Sequence, residues 1–247
     1  MVLPIGDDNP TRRTTWVTWL LVAINIAVFV FLQPWWGTEC QQRAFFLRWA
    51  TIPAELGQGR PLNPSQIAMT DPAACGIGGF PGKEVYLSTL YSLFLHGDWL
   101  HLVFNMLYLL IFGNNVEDRF GHLRFLIFYL LSGFVATSVF VVPNVSSAST
   151  LVGASGAIAG ILGAYLVLFP RAWVTSLVLV FIPIRLPALI VLGLWFVVQL
   201  EALRLGPMAG GGVAYLAHVA GFVFGVICTM AYRLSNPRPR RARSYPY

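Results

Sequence analysis

What most constrains this chain is a succession of apolar runs close to the length of a membrane crossing. Six can be delimited: about Thr15 to Gln33, Leu93 to Phe112, Phe120 to Val142, Leu151 to Phe169, a stretch within Leu177 to Leu203 broken by Pro183 and Pro187, and about Gly212 to Tyr232. A helix needs roughly 20 apolar residues to cross the hydrocarbon of a bilayer. Composition agrees. Of 247 residues, 57% are hydrophobic and 11% charged, and mean hydropathy is +0.69. An ordinary soluble domain carries about 25% charge. Disordered chains, disulfide-rich miniproteins and ordinary soluble enzymes are thereby excluded. The expected fold class is an all-α polytopic membrane protein, a bundle of six transmembrane helices.

Charge placement sets the expected orientation. With the N-terminus cytoplasmic, Arg12, Arg13, Arg119, Arg124, Arg171, Arg185, Arg233, Arg238, Arg240, Arg241 and Arg243 fall inside. Arg43, Arg48, Arg60, Lys83 and Arg204 fall outside, mostly in one long connection, and short loops weigh most in the positive-inside rule. The chain then divides into a cytoplasmic N-terminus (1–14), a membrane domain (15–232) and a basic cytoplasmic tail (233–247). The expected location is the cell membrane, with both termini inside. The first apolar run lacks a small-residue cleavage site after it and is read as a retained helix. The net charge of +6 sits at chain ends and short loops, a distribution that points to a membrane and not to nucleic acid.

The connection from about Pro34 to Tyr91 is rich in Pro and Gly and carries Trp35, Trp36, Phe45, Phe46 and Trp49. Aromatics at that density suggest a partly interfacial segment; a small folded loop outside the membrane is the alternative. Cys40 and Cys75 both fall in it, on the side where disulfides persist, and are expected to pair. Cys228 stands apart in the last apolar run.

A polar side chain within a spanning helix is costly and marks a functional position by default. Three places qualify. The second run opens with His96-Gly-Asp-Trp-Leu-His101-Leu-Val-Phe-Asn105, the fourth with Gly153-Ala-Ser155-Gly-Ala-Ile-Ala-Gly160, and the sixth contains Ala217-His218-Val-Ala-Gly221-Phe-Val-Phe-Gly225. All three lie in the first turns of helices that run inward from the outer face, so they share one depth. Ser155, between small residues, is sterically open. A serine is a weak nucleophile until a base activates it, and His218 suits that task. His101 and Asn105, spaced i and i+4, share a helix face and can both donate hydrogen bonds to an oxyanion. Each segment alone also reads blandly. The glycines serve close helix packing, His218 serves as a structural or transport residue, and His101 with Asn105 link helices. Their joint placement favours catalysis.

These residues carry a resemblance. The ordered set His-Gly-x-x-x-His-x-x-x-Asn, Gly-x-Ser-Gly and Ala-His-x-x-Gly-x-x-x-Gly resembles the rhomboid family of intramembrane serine proteases, in its six-helix form found in bacteria. Glu117-Asp-Arg119-Phe-Gly121 is similar to the family's Glu-x-x-x-Gly turn. The similarity spans about Leu87 to Gly225. It implies a Ser155–His218 dyad, an oxyanion site of His101, Asn105 and the Ser155 backbone N–H, and structural roles for His96 and Glu117. It implies cleavage of transmembrane protein substrates in the lipid bilayer from a site open to the outer face, with no metal or organic cofactor. Two features depart from the family. Tyr86-Leu-Ser88 lacks a Trp-Arg pair, and Ala159 stands where some members place a tyrosine against the catalytic histidine. A non-catalytic, client-binding relative and a six-helix transporter using His and Asn are the competing readings.

Overall fold

The computed structural model describes residues 2–70, 75–178, 181–206 and 213–236. The tail beyond residue 236 and the start of the sixth run at Gly212 lie outside them. A short strand β1 (Val2–Asp7) precedes the first apolar helix α1 (Trp16–Leu32). The last turns of α1, Val28–Leu32, widen to π-helical geometry. The helix stops at Gln33, which the following Pro34 holds extended. Its N-terminus lacks a side-chain cap of its own. The buried Glu117 carboxylate supplies one from a distance, accepting from Val17 N at 3.0 Å, Thr18 N at 2.7 Å and Thr18 Oγ1 at 2.7 Å. It also meets His122 Nδ1 at 2.6 Å, so the structural role expected of Glu117 has a concrete form.

The long connection folds into four short helices, α2 (Glu39–Trp49), α3 (Pro53–Gln58), α4 (Pro64–Met69) and α5 (Ser88–Ser92). Thr38 and Asn63 start two of them with reciprocal capping boxes to Gln41 and Gln66. Leu47, Ile52, Leu62 and Ile67 form a separate small core beneath them. Lys83 and Glu55 pair at 2.6 Å, both side chains almost fully buried. Lys83 Nζ also donates to the carbonyls of Leu47 at 2.8 Å and Ala50 at 2.7 Å. Burial pushes the Lys83 ammonium below the usual lysine range, and Glu55 opposes that push. The expected disulfide is present: Cys40 and Cys75 are bonded, with Cα atoms 5.4 Å apart.

The remaining helices are α6 (Trp99–Phe120), α7 (His122–Asn144), α8 (Ser155–Leu168), α9 (Ala188–Leu205) and α10 (Tyr215–Ser235). Four helices among the described residues, α6, α7, α9 and α10, are long and apolar enough to cross a membrane; α1 and α8 are shorter apolar helices. Asp98 caps α6 by accepting from His101 N at 2.8 Å. Gly121, at φ +80°, turns the chain between α6 and α7 in a conformation that favours glycine. Almost every residue of α8 is buried, because α7 and α10 pack along it.

Three runs correct the sequence reading. The second, expected over Leu93 to Phe112, is one continuous helix only from Trp99, so His96 precedes it, and it continues to Phe120. The fourth run is helical only from Ser155. Leu151 instead bridges to Thr51, its N–H donating to the Thr51 carbonyl at 2.7 Å, and Gly153 donates to Ser92 O at 2.9 Å. The fifth run does not become helix near Leu177. Trp173–Val178 and Ile182–Pro187 form strands β2 and β3, which join β1 in an antiparallel sheet of order β1-β2-β3. The expectation of an all-α chain therefore fails here. Val174, Ile182 and Ile184 favour extended backbone. Pro183 lacks the N–H a helix needs, and an edge strand tolerates it. Pro187 ends β3, and Ala188 N then donates to Ala172 O at 2.8 Å as α9 begins.

Candidate active site

Helices α8 and α10 approach so closely that their backbones touch. A Cβ added at Gly163, Gly221 or Gly225 would run into the backbone of the opposite helix, which is why the small-residue spacing matters here. This contact places His218, on the first turn of α10, over Ser155, the first residue of α8. His218 Nε2 lies 2.8 Å from Ser155 Oγ. Position 153 also requires glycine. Its φ is +120°, and a Cβ there would lie 2.8 Å from His101 Nε2 and 3.6 Å from Ser155 Oγ.

Asn105 and His101 face the same cavity as Ser155 and His218, a space of about 670 Å³. Asn105 is buried, and its Nδ2 has no hydrogen-bond partner among the described residues. An orphaned buried donor is costly, and this one belongs to a residue that lines the cavity holding Ser155. His101 Nδ1 accepts a long bond from Gly97 N at 3.4 Å. Its Nε2 is turned toward Gly153. His96 sits behind, fully buried. Its backbone exchanges hydrogen bonds with the Gln33 side chain at 2.8 and 3.1 Å, and its ring packs edge-on to Phe29 and His101.

Two residues at the site went unnoticed in the sequence. Gln199 of α9 is buried, and its Oε1 lies 2.8 Å from His218 Nδ1. Trp195, one turn earlier, sets its indole 6.1 Å from the His218 ring at a 33° tilt. The aromatic support that Ala159 cannot offer from α8 thus comes from α9. The available signal was Gln199 itself, an uncharged polar residue within a long apolar run. Its partner, 19 residues further on, could not be inferred from spacing. Leu3 of β1 also lines the cavity. Below it, Asp7 accepts from the Tyr165 hydroxyl and, at 3.0 Å, from Asn115 Nδ2. Burial raises the Asp7 carboxyl above its usual range, partly offset by the Tyr165 bond.

Comparison with known proteins places the chain in a family. Residues 83–235 match the family model of the rhomboid domain. Three similar relatives are RHOMBOID-like proteins of Arabidopsis thaliana. Protein 4 is 30% identical over 86% of this chain and 52% of its own length. Protein 6, mitochondrial, is 28% identical over 63% of this chain and 52% of its own. Protein 1 is 32% identical over 61% and 40%. The chain therefore spans about half the length of the curated relatives it matches, and these relatives are plant proteins, which bear on the family and not on a bacterial origin. The matched segment contains Ser155, His218, His101 and Asn105 and covers more than half of the chain; the chain belongs to the rhomboid family.

Proposed function

We propose that this protein is an intramembrane serine endopeptidase that cuts transmembrane proteins near the outer membrane–water boundary. The observation that carries the reading is the 2.8 Å contact between Ser155 Oγ and His218 Nε2 inside a cavity. Ser155 Oγ attacks the scissile carbonyl as its proton passes to His218 Nε2. The resulting oxyanion is met by Asn105 Nδ2, His101 Nε2–H and the Ser155 backbone N–H at the start of α8, where helix N–H groups lack intrahelical partners. His218 then gives its proton to the leaving amine. Water, giving a proton to the same nitrogen, attacks the acyl-enzyme ester; the bond to Ser155 Oγ breaks, Oγ takes the proton back from His218, and the acid product leaves.

Six helices span the membrane in this reading, with both termini cytoplasmic and the cavity open to the outer face. The shortness of α8 supports that depth. At about 1.5 Å per residue, its fourteen residues span less than the hydrocarbon core. Its N-terminal Ser155 therefore starts below the outer surface, sheltered from lipid by α7 and α10. A helical substrate hides its carbonyls in its own hydrogen bonds, so substrates carry a helix-weakening segment near their outer end.

The test is labelling of the detergent-solubilised protein with a fluorophosphonate probe, alongside cleavage of transmembrane reporters in liposomes. Ser155→Ala and His218→Ala abolish both while the protein stays folded. Wild-type labelling of Ser155→Ala refutes the assignment.

A further inference from the structure

We propose that Gln199 is a positioning residue for His218, holding the imidazole in the tautomer that can take a proton from Ser155; this rests on the protease reading above. Neutral histidine carries one N–H, and its other nitrogen decides what the ring can do. For His218 to act as base, the proton must sit on Nδ1. Gln199 Oε1, at 2.8 Å, is an acceptor placed at that nitrogen. The amide could in principle point its NH₂ there instead, which would select the wrong tautomer. The backbone favours the oxygen: Gln199 Nε2 lies 3.5 Å from the Trp195 carbonyl, so the NH₂ group faces an acceptor one turn back and the oxygen faces His218.

The surroundings reinforce the choice. The amide is buried, so water does not compete for Nδ1 as it would at a surface. Trp195 lies 6.1 Å from the imidazole and 5.9 Å from the Phe222 ring, restricting rotation of the histidine from the same helix. Tyr215 stands edge-on to it at 6.3 Å. A neutral amide thus fills the place of the third, orienting group that follows a base and a nucleophile in serine hydrolases. An amide orients without supplying charge, which suits a site where an unpaired carboxylate would be expensive.

The full-length protein in detergent tests this through the saturation kinetics of fluorophosphonate labelling. Gln199→Leu keeps the volume and removes the acceptor. The maximal labelling rate falls by about 10- to 100-fold, the range a lost buried hydrogen bond supplies, while the half-saturating probe concentration holds. Gln199→Glu recovers most of that rate. Protonated or ionised, it presents an oxygen to Nδ1, and when protonated its OH can still donate to Trp195 O. ¹⁵N spectra of histidine-labelled protein, assigned with His218→Ala, report the Nδ1–H tautomer in wild type and its loss in Gln199→Leu. Wild-type labelling by Gln199→Leu, with Ser155→Ala unlabelled, overturns the proposal and leaves the protease reading intact. Equal losses in Gln199→Leu and Gln199→Glu with a lowered melting temperature also overturn it, because they assign Gln199 to packing. Labelling of Ser155→Ala at the wild-type rate instead removes the reading beneath both.

Discussion

Gly221→Ala isolates the link between helix packing and chemistry. The Gly221 backbone rests on the Gly156 peptide, one residue from Ser155, and His218 lies one turn before Gly221. An added Cβ overlaps the Gly156 carbonyl oxygen, lying 3.1 Å from its carbonyl carbon and 3.3 Å from Ala159 Cβ. Backbone cannot rotate out of the way as a side chain can, so the helices must part by roughly 1 Å to restore ordinary contact. The 2.8 Å Ser155–His218 bond then stretches beyond the usual hydrogen-bond range. Overpacking of this kind costs about 1–3 kcal/mol of stability. A 1 Å misplacement of reacting groups costs on the order of 10²-fold in rate. Alanine favours helix over glycine by up to about 1 kcal/mol, so helix propensity works against the expected loss. Fluorophosphonate labelling rate and melting temperature, measured on the same detergent preparation, decide the matter. A Gly221→Ala protein that labels as fast as wild type would refute the reasoning that this contact sets the dyad distance.

Asn105→Ala lowers kcat by roughly 10²–10³, as loss of an oxyanion donor does elsewhere, with KM little changed; single-turnover cleavage of a reporter measures it, and an unaltered kcat makes Asn105 a packing residue. Lys83→Met strands the buried Glu55 carboxylate and destabilises the outer connection by about 3–5 kcal/mol, whereas Lys83→Met with Glu55→Gln recovers much of that loss; hydrogen exchange of residues 47–62 reads both. Cys40→Ser opens the Cys40–Cys75 bridge, worth on the order of 3–4 kcal/mol in the chain-entropy model. It raises protease sensitivity in the stretch 41–69 with only a modest fall in Ser155 labelling. Alkylation of both thiols in unreduced wild-type protein from an oxidising compartment would contradict it.

Much was legible in the chain because its signals are local. Apolar runs between polar or Pro-containing breaks anticipate α1, α7 and α10 to within a few residues. Each costly polar side chain in the second, fourth and sixth runs marks a position, and the ordered motifs anticipate that Ser155, His218, His101 and Asn105 line one cavity. Cys40 and Cys75 were paired from their shared loop. What tertiary structure alone decided depends on partners remote in sequence. Leu151 to Gly153 is as apolar as the helix that follows, yet it stays outside that helix because the Thr51 and Ser92 carbonyls take the Leu151 and Gly153 N–H groups. The apolar stretch around Leu177 becomes β2 because β1, some 170 residues away, and β3 supply a ladder on both sides. Glu117 caps a helix a hundred residues distant. Gln199 looks like any polar residue in an apolar helix until α9 and α10 dock and bring its oxygen to His218. Periodicity and residue type report whether a segment must be buried; they do not report what it is buried against, and at this site the second question decides what meets Nδ1 of His218.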